Sequence, residues 1–425
     1  MKKMVSLKKA LEISADPKST AKELSTLVNK YYPVDCLIAK HPNCPDKYYR
    51  GQFDFLPYAL RSTGLCQALA SRKNISRELL QTLALEDDYL TKKRVLTHPC
   101  TSEKTKEQIA KNFKAESDQL IEDRKKLFVV RREILIQVKM FRRKWPQYEA
   151  LATEIEAFAN YHPVGWTPIY EPVTTIGNAH RKGNLVFAHF YTSEKHPWPQ
   201  LDGIPLAPLL QLDIKSVRSK SKQSGQLASL PEIDGLLQVW TTYHKQMTIR
   251  EGVTRFIPAE DVYSDIMTNE TPTLTDVNGY LGLAYSGLGG GRGLGAKIVG
   301  WRKTAPKYIS YPSFEHEPDL ECFGCLDKYE QLLAAGDQDA QAFSEAEVLV
   351  QNIRDLVDPV ASHGGTRLFG VSSEFQGANA WERRPRQTLF QFDGDGDYEF
   401  RISGFGTAIV YWQGSEFDFS WSSYG

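Results

Sequence analysis

Over the first 112 residues the apolar positions fall in short clusters at helical spacing, such as Leu79, Leu80, Leu83 and Leu85, separated by polar turns. Four of these turns share a phrase: Ala15-Asp16-Pro17-Lys18-Ser19-Thr20, Lys40-His41-Pro42-Asn43-Cys44-Pro45, Ser71-Arg72-Lys73-Asn74-Ile75-Ser76 and Thr97-His98-Pro99-Cys100-Thr101-Ser102. Counted at Pro17, Pro42, Lys73 and Pro99, the steps are 25, 31 and 26 residues, inside the range of solenoid repeats. Proline closes one helix, and the Ser, Thr or Asn after it caps the next. The pattern predicts a helical solenoid over residues 1–112, with an irregular turn near Tyr49 to Pro57 where the second step runs long.

From Ala115 to Tyr161 the period changes. Leu120, Leu127, Val130, Ile134, Val138 and Phe141 recur at helical spacing among Lys125, Lys126, Arg131, Arg132, Lys139, Arg142, Arg143 and Lys144. This predicts one long amphipathic connection over residues 113–161, broken at Pro146. Such a basic face suits a membrane surface or nucleic acid, or is simply a solvated side.

Beyond Tyr161, over residues 162–425, short alternating strands and frequent Gly and Pro appear, with seven of the eight tryptophans. That texture predicts an α+β domain. Leu209-Leu210-Gln211-Leu212-Asp213 returns as Leu389-Phe390-Gln391-Phe392-Asp393. On a strand the Gln and Asp of each copy share one face while Leu210 and Leu212, or Phe390 and Phe392, take the other. Each copy is followed by a glycine and a β-forming run ending in tryptophan, Gly235 to Trp240 and Gly406 to Trp412. A duplicated β unit is expected, with an acidic helical stretch from Glu317 to Val360 covering one face of the sheet. The fold class is therefore α+β: an amino-terminal α-helical solenoid joined to an internally duplicated β-rich domain.

Composition narrows the setting. Hydrophobic content of 41% with 24% charged residues is ordinary for a globular chain, and no apolar run approaches the ~18 residues of a membrane span. The basic start, Met1 to Lys9, is interrupted by Lys8 and Lys9 before an apolar core develops, so a cytoplasmic protein without membrane contact is expected. Six dispersed cysteines fit reduced thiols. The net charge of zero hides an asymmetry: Met1 to Ala150 carries 30 basic against 18 acidic side chains, and the remainder balances it. Two surfaces of opposite sign follow.

Candidate chemistry is sparse. If the two β units pack about a pseudo-twofold axis, Gln211, Asp213, Gln391 and Asp393 converge on a cleft able to grip a polar ligand, with Trp198 and Trp301 beside them. Alternatively each Gln bonds neighbouring backbone and each Asp begins a turn. Cys322 and Cys325 form a single Cys-x-x-Cys with no second pair at zinc spacing. Asp393 to Asp397 opens like a calcium loop but has Tyr398 and Gly404 where glycine and glutamate are needed. The glycine run from Ser286 to Lys297 misses the phosphate-loop spacing. No catalytic residue, cofactor or metal is expected.

Two resemblances add to this. His41-Pro42-Asn43-Cys44-Pro45 and His98-Pro99-Cys100-Thr101 resemble the units of the leucine-rich repeat variant family, which implies a curved helical solenoid. Some members of that family bind an iron–sulfur cluster, but Cys36, Cys44, Cys66 and Cys100 lack its tight cysteine spacing. Further on, Leu185 to Phe190, His196-Pro197-Trp198-Pro199, Gly203 to Asp213, Gly300-Trp301, Gly370-Val371, Leu389 to Asp393 and Val410-Tyr411-Trp412 are similar to the YwqG-like family. The family's glycine pair stands here as Gly183-Asn184. This bacterial domain family has no assigned activity. The resemblance implies an internally duplicated α+β fold and an occurrence near toxin systems. It leads to the expectation of a non-catalytic protein-binding protein, an immunity or antitoxin-like protein that sequesters a toxin. Two other readings stay open: a small polar-ligand binder or enzyme using the Gln-x-Asp strands, and nucleic-acid binding by the basic solenoid.

Overall fold

Short polar side chains set where the first helices begin. α1 (Leu7–Ala15) starts at Ser6, whose hydroxyl accepts from the Lys9 N–H, and α2 (Ala21–Ser25) starts at Thr20, which forms a reciprocal capping box with Glu23. α3 (Tyr32–Lys40) and α4 (Ala59–Ala70) follow, then α5 (Arg77–Leu83) capped by Ser76 and α6 (Tyr89–Thr97) capped by Asp88. These elements belong to a computed structural model that describes residues 5–28, 32–44, 59–174, 181–243, 249–264, 267, 295–309, 312–318, 326–361, 365–371, 387–393 and 406–423.

His41 and His98 lock two turns in the same manner. Nδ1 of His41 accepts from the Asn43 N–H at 3.1 Å, so Nε2 carries the proton and donates to the Asp16 carbonyl, 25 residues earlier, at 2.8 Å. His98 repeats both bonds, accepting from the Cys100 N–H at 3.1 Å and donating to the Arg72 carbonyl, 26 residues earlier, at 2.8 Å. Beneath them Leu24, Val34, Ile38, Leu69, Leu80 and Val95 share one buried core.

α7 (Glu103–Lys144) is 42 residues long, about 63 Å. It begins well before Ala115, because Ser102 caps it and Ile109 anchors its first turns in the core of the preceding helices. Apolar residues are too sparse between Glu103 and Lys114 for periodicity to reveal that start. It ends at Trp145, where Pro146 opens a 3₁₀ turn (Pro146–Tyr148) into α8 (Glu149–Asn160).

The remaining elements are β1 (Val164–Pro172), β2 (Leu185–Val186), β3 (Gln200–Leu201), β4 (Ile204–Pro205), β5 (Ala207–Asp213), α9 (Ile214–Ser224), β6 (Gly235–Tyr243), β7 (Ile249–Pro258), α10 (Ala259–Ser264) and β8 (Ala296–Pro306). After these come α11 (Leu326–Ala334), α12 (Gln338–Val357), β9 (Arg367–Phe369), β10 (Gln387–Asp393), β11 (Gly406–Gln413) and β12 (Glu416–Ser423). Ten strands form one antiparallel sheet in the order β12-β11-β10-β9-β1-β8-β2-β5-β6-β7. Its edges nearly meet: the Thr254 hydroxyl donates to the Phe417 carbonyl at 3.0 Å, and Phe256 stacks on Phe417 at 6.3 Å. The result is a nearly closed barrel whose core draws Leu210, Leu212, Leu237, Phe390, Phe392 and Trp412 together.

α12 does not cover the sheet, contrary to expectation. Its stripe of Ala342, Ala346, Val350 and Ile353 meets Ile134, Val138 and Phe141 of α7 and Leu151 and Ile155 of α8 in a separate core. The apolar stripe of the long helix thus takes the place of the sheet as its partner. The helical region docks on β1 and β8 through polar contacts: Arg94 pairs with Glu171, Gln67 donates to the Tyr170 carbonyl at 3.0 Å, and Arg302 pairs with Glu116 while lying 4.8 Å from the Tyr89 ring centre. Among the described residues no helix is long and apolar enough to cross a membrane. The turn at Tyr49 to Pro57, Cys322 and Cys325, the glycine run before Gly295 and the turn after Asp393 lie outside the described residues.

Candidate functional site

Gln211 is fully buried. Its Oε1 accepts from the Tyr191 N–H at 2.9 Å and from Gln238 Nε2 at 2.8 Å, and its Nε2 donates to the Arg181 and Gly183 carbonyls, each at 2.8 Å. That uses the full capacity of an amide, two bonds accepted and two donated. Gln238 passes the network on to Arg255, whose Nε and Nη2 donate to Gln238 Oε1 at 3.0 and 2.6 Å. Burial pushes the Arg255 pKa down to about 10. Gln391, also fully buried, accepts from Arg367 Nη2 at 3.1 Å and donates to the Gly365 carbonyl at 3.3 Å. The two glutamines are thus satisfied by separate sets of neighbours.

The other expected site residues are dispersed too. Asp213 caps α9, accepting from the Lys215 N–H at 3.1 Å, while its own N–H donates to Asn184 Oδ1 at 2.7 Å. The backbone of Asp393 pairs with Thr407, and its side chain lies outside the described residues. The Trp198 indole N–H donates to the Leu206 carbonyl at 2.8 Å, and its ring meets Trp240 edge-on at 4.9 Å. Trp301 packs edge-on against Phe390 at 6.3 Å. Each of these side-chain contacts braces the fold, and none of them brings the described side chains of Gln211, Asp213, Gln391, Trp198 and Trp301 together around one ligand.

A different constellation does form a cleft. Where the end of β8 and the start of β9 flank β1, a space of about 320 Å³ is lined by Thr167, Thr304, Lys307, Thr366 and Arg367. Among the described residues, the cationic side chains of Lys307 and Arg367 line it. Lys307 is half-buried and makes no ion pair among the described residues. Arg367 is held by the Val371 carbonyl, which accepts from its Nε at 3.0 Å and its Nη2 at 2.5 Å, and by Gln391. The repeated glutamine therefore bears on this cleft indirectly, by orienting Arg367. No sequence motif marked Lys307 or Arg367, since they meet only through the pairing of β1 with both β8 and β9.

No protein-family model matches this chain, and no curated protein does.

Two further features stand apart from the cleft. Along α7, Phe128 (57% exposed), Val129 (69%), Ile136 (42%) and Met140 (68%) leave apolar surface uncovered. Exposed Arg132, Lys139 and Arg143 stand among them without ion pairs among the described residues. Elsewhere, Lys195 Nζ at 2.6 Å and His196 Nε2 at 2.9 Å bracket the carboxylate of Asp261 and hold its pKa below the usual range. Among the described residues no group of three or more His, Cys, Asp or Glu side chains could hold a metal.

Proposed function

We propose that this protein works by binding another protein, without catalysis, and that the exposed side of α7 is the docking face. The observation that carries this reading is the mixture on that side: Phe128, Val129, Ile136 and Met140 alternate with Arg132, Lys139 and Arg143, which make no ion pair among the described residues. An uncovered apolar stripe favours a partner that buries it, and the interleaved cations select an acidic one. Nucleic acid would satisfy the cations through phosphates but offers less to Phe128 and Met140, so an acidic protein is the better fit.

The family reading supplies the partner class. We assign residues 162–425 to a YwqG-like domain made of two copies of one β unit, preceded by a leucine-rich repeat variant-like solenoid. Several observations support the duplication. The strand order places β12 to β9 and β7, β6, β5 and β2 symmetrically about the β1–β8 pair. β2 meets β5 with Leu185 opposite Gln211, as β9 meets β10 with Arg367 opposite Gln391. Each of these short strands leads into or ends on a phenylalanine of positive φ, Phe187 at 51° and Phe369 at 56°. The matching bonds of His41 and His98 support the repeats.

On this reading the protein is an immunity or antitoxin-like protein. Co-expression with the products of adjacent genes is expected to yield one that co-purifies and whose toxicity is relieved. Phe128→Asp combined with Ile136→Asp should abolish both effects. If no adjacent product binds and growth is unprotected, the reading fails.

A further inference from the structure

We infer that Arg255 binds the anionic group of a small molecule, a carboxylate or a phosphate. Gln211, Gln238 and Arg255 stand opposite one another on β5, β6 and β7, so they share the face of the sheet turned away from Leu210, Leu212 and Leu237. Arg255 closes that row, half-buried, as a cation without a counterion. Among the described residues no carboxylate pairs with it, and its hydrogen bonds all go to neutral acceptors. Charge withdrawn from water is normally paired, so a guanidinium held by neutral groups alone marks a place where an anion from outside is favoured.

Its donors can be counted. A guanidinium has five N–H groups. Nε and Nη2 each give one to Gln238 Oε1, at 3.0 and 2.6 Å, and Nη1 gives one to the Pro197 carbonyl at 2.6 Å. One N–H on Nη1 and one on Nη2 are left over, and no further partner takes them. From these two atoms a guanidinium meets a carboxylate or phosphate end-on, through two charge-assisted bonds.

The group is also placed in advance. Arg255 and the Trp240 indole can only donate, so both require the Gln238 amide to turn its oxygen toward them. The amide nitrogen is held on the other side by the Tyr191 carbonyl and Gln211 Oε1, each at 2.8 Å. The guanidinium carbon stands over the buried Trp240 ring at 5.5 Å. What stays open is the Nη1–Nη2 end, which suits one anionic group of a compact ligand. A cation already ordered loses little conformational entropy when that ligand arrives.

The test is protection of the full chain at low ionic strength against glyoxal, a small dicarbonyl that condenses with guanidinium groups, read at each arginine by peptide mass. Inorganic phosphate and, separately, succinate are the probes, at millimolar concentration. At least one is expected to slow modification of Arg255 about tenfold once it stands well above its dissociation constant, while exposed Arg132 reacts as before. Protection by phosphate alone assigns the site to phosphates, protection by succinate alone assigns it to carboxylates, and protection by both assigns it to the shared anion chemistry. Calorimetric titration then compares the parent with Arg255→Lys, which keeps the charge and loses the fork. Its affinity for the protecting probe should fall at least about tenfold. No protection of Arg255 by either probe, an Arg255 that glyoxal does not reach, or an affinity that Arg255→Lys leaves unchanged overturns the inference. Protection is measured on the parent protein, so it decides the matter even where the variant is unstable. The α7 face takes no part in it, so this outcome and that of the docking test are independent.

Discussion

Gln211 shows how a polar side chain can be conspicuous in a strand and still belong to the interior. Replacing it with leucine would strand the Tyr191 N–H, the Arg181 and Gly183 carbonyls and the Gln238 amide, all of which it now satisfies. At roughly 1–3 kcal/mol for each buried group left without a partner, Gln211→Leu should cost about 3 kcal/mol or more. Urea denaturation measures this, and a variant within about 0.5 kcal/mol of the parent would contradict the bracing role. Asp261 gives a pH signature. Its carboxyl is held below its ordinary value by Lys195 and then His196, so the folded pKa lies under the unfolded one, about 3.9. Its contribution is therefore present above about pH 4 and is lost as pH falls through the folded value. Asp261→Asn should be less stable than the parent at pH 7, and the gap should close in acid. A gap that stays constant down to pH 3 would dismiss the carboxylate as its source.

Among the elements, α7 was the easiest to foresee and the hardest to bound. Leu127, Ile134, Val138 and Phe141 are buried as their spacing predicts, and Pro146 ends the helix. Yet one helix serves two cores, with Ile109 in that of the amino-terminal helices and the later residues against α8 and α12. A periodicity argument sees a stripe but not its partner, and this is why α12 was expected on the sheet. The same blindness hid the exposed apolar side of this helix: Phe128, Val129, Ile136 and Met140 read as ordinary helix residues until packing on the opposite side leaves them in water. Short strands such as β2 and β9, of two and three residues, have too little alternation to be read at all.

Closure of the barrel is the property of the entire fold that local sequence says least about. It depends on β7 and β12, far apart in the chain, lying side by side. Gly252 lies on this seam with no room for a side chain: a Cβ there would stand 1.9 Å from the Phe419 ring. Gly252→Val should push Phe419 out of the seam and cost about 1–3 kcal/mol, the usual range for overpacking. Hydrogen exchange should quicken in β7 and β12 before the central β1 and β8. Unaltered exchange in those edge strands would show that the seam does not depend on this contact.

The chain's own order of residues was enough for the α+β class, for helices capped at Thr20, Ser76 and Ser102, for the break at Pro146, and for the recurrence of the Gln-x-Asp strand. Each of these is written in neighbouring residues, through period, capping oxygen or missing N–H. The cleft, the glutamine networks and the uncovered side of α7 were not written there. Lys307 and Arg367 are 60 residues apart and meet only because β1 pairs with both β8 and β9. The Gln-x-Asp motif was therefore legible as a strand but not as a site: whether an amide faces a ligand or its neighbours' backbone depends on what the rest of the fold lays over it. Here that is the segment from Arg181 to Tyr191 for Gln211, and the Gly365–Arg367 turn for Gln391.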